Sequence, residues 1–385
     1  MGHSTTIVSA SYSHVRKKQP FFSRLWKKDS IDGISYIWLK TPRYHGNGVR
    51  RAINIFVFVA LATIHAKIIA KEVMPDAVIA SSTYPLDNYV ANYIARRSKA
   101  KHIYEVHDIW PLSPIELGGM SDLHPFIVLM KWAERYAYRR ADEVVSLLPN
   151  AYEHMAEQGL AIDKFFYMPN GVNFGDWENQ LAELPSEVQS SLTEAKQKGQ
   201  LIVGYAGAHG LANCLMSLIE AANMLKDEKI LFVLVGQGPE KERLIETSRQ
   251  LGLRNVLFFS PVDRIAIPRL LDQFDIAYIG LRSTPVFRFG ISPNKLMDYM
   301  MSAKPVVLAI DTEKDMITAS GGGIKVNPED GEAIASAIRK IGMMSRSERE
   351  EMGRRGKRYI EEHHDYRIIG KKFLEVLANR RPGQK

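Results

Sequence analysis

The stretch Phe289-Gly-Ile-Ser-Pro-Asn-Lys-Leu-Met-Asp298 has the residue types and spacing of an anion site. Ser292 is a good N-cap and Pro293 suits the first helical position. The backbone N–H groups of Asn294 and Lys295 would then lie free at the helix start. A cation in the first turn opposes the helix macrodipole, at a cost of about 0.3–1 kcal/mol. A bound anion reverses that sign, because amides, dipole and ammonium all attract it. Asp298 lies three residues after Lys295 and four after Asn294, so it shares their face. A carboxylate there can accept hydrogen bonds from ribose hydroxyls. An ordinary capped helix with a surface Lys–Asp pair is the simpler alternative.

Two glycine-containing loops add to this. In Tyr205-Ala-Gly-Ala-His-Gly-Leu-Ala-Asn213, Gly207 and Gly210 permit close backbone approach to a ligand, and His209 can donate to an oxygen. Val235-Gly-Gln-Gly-Pro-Glu-Lys241, which contains Gly238, looks like a dinucleotide fingerprint but carries Lys241 where the third glycine belongs. Hydride chemistry loses ground for that reason. Earlier in the chain, Tyr104-Glu-Val-His-Asp-Ile-Trp-Pro111 follows a strand. Period two puts Glu105 and His107 on one strand face, with Asp108 at its end. No metal triad is visible, since His363 and His364 are adjacent and near the C-terminus. No Gly-x-Ser-x-Gly elbow exists.

The elements that must position these residues alternate. Strands are expected at Thr5–Ala10, Ile34–Leu39, Ala77–Ala80, His102–Val106, Val144–Leu148 and Phe165–Met168, with helices at 49–72, 85–99, 125–140 and 151–158 between them. A second series follows at Leu201–Ala206, Ile230–Val235, Val256–Phe259, Ile276–Ile279, Val306–Ala309 and Ile324–Val326, and a charged helix pair spans 346–379. This alternation implies parallel sheets covered on both faces, hence an α/β protein of two Rossmann-like domains. The expected division is 1–178, 179–364 and a C-terminal helix, 365–385, packing back on the first domain.

Length and composition agree: 385 residues, 45% apolar and 24% charged, exclude a disordered chain, a collagen and a simple coiled coil. The lone Cys214 excludes an intramolecular disulfide and a Cys-based zinc cage. The opening residues lack a secretory signal. The net charge is +8, yet residues 1–101 alone hold 16 Lys and Arg against 5 Asp and Glu. A basic first quarter implies an anionic partner. The stretch from Val15 to Lys28 interleaves cations with Phe21, Phe22, Leu25 and Trp26, a composition that suits an anionic membrane surface. A solvated basic loop is the alternative, and nucleic acid is disfavoured because no recognition motif follows. The apolar run Ile55 to Ile69, broken by His65 and Lys67, reads as a buried amphipathic helix rather than a span, with membrane contact as the alternative.

Taken together, Pro169-Asn-Gly-Val-Asn173, Tyr205-Ala-Gly-Ala-His-Gly210, Gly236-Gln-Gly-Pro239, Ser292-Pro-Asn-Lys-Leu-Met-Asp-Tyr299 and Lys304-Pro-Val-Val307 resemble family 4 glycosyltransferases of GT-B fold. His107-Asp-Ile-Trp-Pro111 and the Gly207 loop resemble the subgroup of N-acetyl-L-fucosaminyl transferases of O-antigen and capsule assembly. The resemblance implies two domains facing across a cleft and a nucleoside-diphosphate sugar, with uracil the expected base, held by the second domain. It also implies a glycan or polyprenyl-diphosphate-linked acceptor on the first, and retention at the anomeric carbon. His107, with Asp108, matches the reacting-centre histidine, and Glu105 and Trp110 fall on the acceptor side. Asp298 matches the second acid of the family's Glu–seven residues–Glu motif, a ribose ligand. Ser292, Pro293, Asn294 and Lys295 lie where the diphosphate is expected. The location implied is the cytoplasmic face of the plasma membrane, and no metal or other cofactor is expected.

Three departures accompany the resemblance. The first acid of the motif falls on Gly290. The Arg and Lys that many members place after the Gly207 loop are absent, with Ala208 and Asn213 in that region, so Lys295, backbone amides, Arg288 or His209 must meet the diphosphate charge. Met1-Gly-His-Ser-Thr-Thr-Ile-Val-Ser-Ala10 resembles the family's second strand, so the first domain is expected to lack its first strand–helix unit. A nucleotide-sugar 2-epimerase and an inactive membrane-surface scaffold are the rival functions.

Overall fold

A computed structural model describes residues 2–14, 16, 18–46, 48–178 and 182–378. The chain divides into two compact units. One comprises Met1–Ser146, Tyr152–Phe166 and the residues from Val376; the other comprises Leu147–Ala151 and Tyr167–Glu375.

The first unit holds two sheets. β1 (Thr6–Ala10), β2 (Trp26–Ile31) and β3 (Ile34–Leu39) form one of order β1-β3-β2, with β1 parallel and β2 antiparallel to β3. Helix α1 (Val49–Val73) follows, then β4 (Ala77–Ala80), α2 (Asn88–Ser98), β5 (Lys101–Val106), α3 (Pro125–Arg140), β6 (Glu143–Ser146) and β7 (Phe165–Tyr167). These last four strands make the second sheet, order β4-β5-β6-β7. Beside the expected parallel pairings, β2 adds an antiparallel strand. The Asp32-Gly33 pair, with φ of 51° and 78°, turns the chain back on itself in a tight hairpin.

That hairpin also changes the meaning of the basic stretch. Trp26 packs on the core beside Ile37 and Leu39, Lys28 pairs with Glu72 at 2.8 Å, and Arg16 lies 4.7 Å over the Trp38 ring. Phe21 and Leu25 remain exposed, while Val15 and Lys17 lie outside the described residues. Helix α1 buries one stripe (Phe58, Leu61, Ala62, Ala66 and Ile69) against Ile37 and Leu39. Its outer stripe is mixed, with Ile53, Phe56, Ile64 and Ile68 exposed beside Thr63, Lys67 and Lys71.

In the second unit, α4 (Ser186–Gln197) leads into β8 (Leu201–Ala206), α5 (Leu215–Met224), β9 (Ile230–Val235), α6 (Lys241–Gln250), β10 (Val256–Phe259), β11 (Ile276–Gly280), α7 (Asn294–Met301), β12 (Val306–Ala309), β13 (Gly323–Val326), α8 (Gly331–Gly342), α9 (Arg346–His363) and α10 (Tyr366–Ala378). Six parallel strands pair in the order β10-β9-β8-β11-β12-β13. β9, Ile-Leu-Phe-Val-Leu-Val, is buried throughout, as a strand covered on both faces must be. Its alternate residues enter two cores. Leu231, Val233 and Val235 meet Leu296 and Met300 of α7, whereas Ile230, Phe232 and Leu234 meet Leu218 of α5 and Ile338 of α8. In such a sheet the strand order reverses between β8 and β11, and the crevice outside their carboxyl ends is where ligands bind. From Val376 the last turn of α10 counts with the first unit, where Lys101 Nζ donates to the Val376 carbonyl at 2.7 Å.

Candidate functional site: an unpaired ammonium at the strand-order switch

The C-terminal end of β8 is tied to α7. The Tyr299 hydroxyl accepts from the Ala206 amide at 2.8 Å and donates to the Ala206 carbonyl at 3.1 Å. Lys295 lies one turn before Tyr299 on the same helix face. It therefore reaches the same strand end. Its ammonium donates to the Tyr205 hydroxyl at 3.0 Å and to Asn213 Oδ1 at 2.5 Å, and lies 4.8 Å over the Tyr205 ring. A Cβ built on Gly207 would stand 3.2 Å from Lys295 Nζ. Among the described residues no carboxylate pairs with this ammonium. Burial pushes its pKa down to about 8. The strand-order switch, a helix N-terminus and an unneutralised cation thus coincide.

The surrounding loops fit tightly on one another. A Cβ on Gly236 would meet the Gly207 carbonyl at 1.8 Å, and one on Gly238 would meet His209 backbone atoms at 2.3–2.8 Å. At Gly238 the close approach is chain on chain. Gly210 faces open space apart from Asn213 Nδ2 at 3.8 Å. Lys241, in the place of the third glycine, is buried; its ammonium donates to the Gly236 carbonyl at 3.0 Å and the Phe259 carbonyl at 2.8 Å, joining the ends of β9 and β10.

His209 requires a correction. Its ring is wholly buried, between Tyr205 and Phe258, and neither ring nitrogen has a partner. It presents nothing to a ligand from outside. Burial first, then the charges of Lys241 and Lys295, lower its pKa to about 4, so it is neutral. The effect of both lysines on one imidazole marks the positive potential here.

Ser292 and Pro293 sit one position earlier in the helix than expected. The helix begins at Asn294, Pro293 holds the cap position, and no side chain caps it. Ser292 is instead engaged by Asn170, whose amide donates to Ser292 Oγ at 3.3 Å and whose Nδ2 donates to the Ser292 carbonyl at 2.9 Å. This leaves the first-turn amides of α7 without a side-chain cap. Asp298 is buried and grips the Arg264 guanidinium through both oxygens, one at 2.9 Å. A cavity of about 290 Å³ lies beside the pair, walled by Trp177, Ile265, Ile267 and Pro268. Arg288 is exposed, its guanidinium 4.2 Å over the Phe289 ring.

The first unit gathers a different set. The parallel register Ala80↔Tyr104 puts Ser81 beside Glu105 at the ends of β4 and β5. Ser81 Oγ donates to Glu105 Oε2 at 2.5 Å and accepts from His107 Nε2 at 2.9 Å; His107 Nε2 and Glu105 Oε2 are 3.4 Å apart. The hydrogen bond to Glu105 raises the His107 pKa against the opposing effect of burial, with further help from Asp108 and Asp87. Burial alone would raise Glu105, but hydrogen bonds from His107 and Ser81 outweigh it and the net shift is downward. Asp108 accepts from Ser113 Oγ. Trp110 lies under the Arg51 guanidinium at 5.8 Å and edge-on to Phe126 at 6.1 Å. Sequence reasoning missed Ser81, which equal strand ends would have placed, and Arg264, which no spacing signals because it lies 34 residues from Asp298.

Residues 1–171 match the family model of the glycosyl transferase 4-like domain, and residues 200–342 match that of glycosyl transferases group 1. The two models together take in most of the chain, which belongs to the family 4, GT-B glycosyltransferases. Among curated proteins it is similar to WcaI of Escherichia coli K12, whose name assigns it to glycosyl transfer in colanic acid biosynthesis. The two are 22% identical over 348 residues, 88% of this chain and 84% of WcaI. Among solved structures, Anabaena HepE in complex with UDP and glucose superposes with a TM-score of 0.64 at 15% identity, covering 90% of this chain and 87% of that one. An Escherichia coli structure described as trehalose-6-phosphate bound with UDP-2-fluoro glucose gives a TM-score of 0.70 at 13% identity, covering 98% and 93%.

Proposed function

We propose that this glycosyltransferase takes its sugar from a nucleoside-diphosphate sugar, UDP-linked, bound in the second unit. The acceptor would be a glycan or polyprenyl-diphosphate-linked saccharide held by the first unit. The observation that carries the donor half is the Lys295 ammonium, half-buried at the β8/β11 switch and, among the described residues, without a carboxylate partner. Negative charge grows on the leaving diphosphate as the sugar becomes oxocarbenium-like. Fixed donors aimed at that charge are usually the largest single contribution to rate. Lys295 and the first-turn amides of α7 supply them here. Asp298 and Arg264 take the ribose side, beside the Trp177 cavity. The UDP complexes named for the structural neighbours support the choice of base.

Transfer proceeds with retention in this reading, with His107 against the donor sugar and Glu105 and Trp110 toward the acceptor. The name of WcaI supports a surface polysaccharide as the product class; an N-acetylfucosaminyl donor is the specific sugar proposed from His107-Asp-Ile-Trp-Pro111. The reaction takes place at the cytoplasmic face of the plasma membrane, where lipid-linked acceptors are exposed. The test is a thermal-shift screen of nucleoside-diphosphate sugars followed by transfer to a lipid-linked acceptor. A rise in melting temperature with UDP-sugars and a glycosylated lipid product are the expected results. No shift with any nucleoside diphosphate would remove the donor reading; sugar turnover without an acceptor would point to an epimerase.

A further inference from the structure

We propose that Ser81 is a positioning residue for the transfer reaction: its hydroxyl ties down Nε2 of His107, so that Nδ1 is the ring atom left to meet substrate. The proposal rests on the reading above that His107 lies against the donor sugar. Ser81 stands just past the end of β4, where the register Ala80↔Tyr104 sets it beside Glu105. A hydroxyl has one proton to give, whereas an ionised carboxylate can only accept. Burial would raise Glu105, but hydrogen bonds from His107 and Ser81 hold its pKa below the ordinary range, so it is ionised. The Ser81 proton therefore goes to Glu105 Oε2, at 2.5 Å, and the lone pairs of Oγ are left for His107 Nε2, at 2.9 Å. Only an N–H satisfies that contact. Nε2 carries the proton in the neutral ring, and Nδ1 is then the acceptor.

Among the described residues the Ser81 contact is the shortest hydrogen bond to the ring. Glu105 Oε2 lies 3.4 Å from Nε2, a longer and weaker contact than the 2.9 Å to Ser81. Asp108 accepts from Ser113 and Asp87 from Ser82, and both act on His107 through their charge alone. Nδ1 has no hydrogen-bond partner among the described residues. The Ser81 side chain is exposed and makes just these two hydrogen bonds, so core packing does not account for it. The His107 and Glu105 side chains are 37 and 35% exposed, so a ligand can reach the pair. A bare Nδ1 accepts hydrogen bonds, and a sugar hydroxyl is a donor of matching kind.

The experiment uses the full chain with isotope-labelled histidine. NMR follows the His107 ring nitrogens, assigned by their loss in His107→Ala, at a pH where the ring is neutral. The wild type should be protonated on Nε2. That N–H should exchange with water about tenfold faster in Ser81→Ala, the worth of one hydrogen bond. Ser81→Thr keeps the hydroxyl and should restore slow exchange. In steady-state transfer Ser81→Ala should lower kcat about tenfold and leave the donor KM and the melting temperature near wild type; Ser81→Thr should recover most of the loss. A wild-type ring protonated on Nδ1 would overturn the proposal. So would equal exchange in wild type and Ser81→Ala, an equal loss of kcat in the alanine and threonine variants, or faster exchange with kcat intact, which would leave Nδ1 no part in transfer. A chain without transfer activity counts against the proposed function, whereas the hold of Ser81 on the ring is read with no donor or acceptor present.

Discussion

The two polar clusters, one in each unit, differ in how completely they satisfy themselves. At the end of β5, His107, Glu105 and Ser81 form a closed set in which the hydroxyl bridges the imidazole and the carboxylate. At the end of β8, Lys295 rests on the neutral oxygens of Tyr205 and Asn213, and its charge and that of Lys241 act on His209 with the same sign. A buried charge without a counter-charge is costly to keep. In the proposed function the second cluster receives an anion from outside, whereas the first, closed on itself, positions His107. Charge supply and positioning would then be separate tasks in separate parts of the chain.

Removing Lys295 should break this contrast most severely. Lys295→Ala is expected to lower kcat by roughly 10²–10³, the usual loss for one charge-stabilising donor, and to weaken UDP-sugar binding. Steady-state transfer and thermal shift read the two effects. The pH dependence has a definite sign. Below pH 8 the free protein carries the ammonium; a bound diphosphate favours that form and raises its pKa. Affinity should therefore be full below about 8 and fall above it, by at most about tenfold per pH unit for a single proton. The slope should vanish in Lys295→Ala. A wild-type affinity flat through that range would show that the ammonium does not face the diphosphate.

His107 sharpens the comparison from the other side. His107→Ala should cost roughly 10² in turnover, within the range for a positioned acid–base group, and leave UDP-sugar affinity close to wild type. Equal losses of both would move His107 to the donor's diphosphate. Glu105→Gln gives a finer readout. Because Glu105 stabilises the protonated ring, the folded pKa stands above that of a free histidine; the stabilisation is present below the unfolded pKa and disappears as pH rises through the folded one. In the Gln variant the His107 titration followed by NMR should fall back toward the free value. A midpoint unaffected by Glu105→Gln would assign the shift to Asp108 and Asp87 instead.

Much of the scaffold was legible in the residues. The strands of the second unit are uninterrupted apolar runs bounded by turns, so β8, β9, β10 and β12 coincide with their expected ranges. Lys295 was legible too, because a first-turn lysine is anomalous without an anion. What escaped was set by tertiary contact. Nothing local to His209 distinguishes a loop imidazole facing a ligand from one folded under Gly236, and Ser292 forgoes capping because Asn170, 122 residues away, engages it. β2 was hidden by its composition, since Lys27, Lys28 and Asp29 look like a solvated loop; only the Asp32-Gly33 turn signals the hairpin.

The smallest expected effect concerns Gly290, where the family's first acid should stand. Its φ of 98° and ψ of 176° lie in a region essentially reserved for glycine, and a Cβ there would meet Pro149 Cδ at 2.6 Å. Pro149 cannot swing aside, because it is a ring in the chain that precedes Asn150, whose amide donates to the Phe289 carbonyl at 3.0 Å. A glutamate at this position is thus incompatible with the local backbone, and the departure from the family pattern is structural as well as chemical. Gly290→Glu should lower stability by about 1–3 kcal/mol and reduce turnover rather than improve it. Gly290→Ala should show most of the same stability loss, since the Cβ and the dihedrals are responsible. A melting temperature unchanged in the alanine variant, or a gain of activity with glutamate, would mean that the 287–293 loop can adopt the family's usual path.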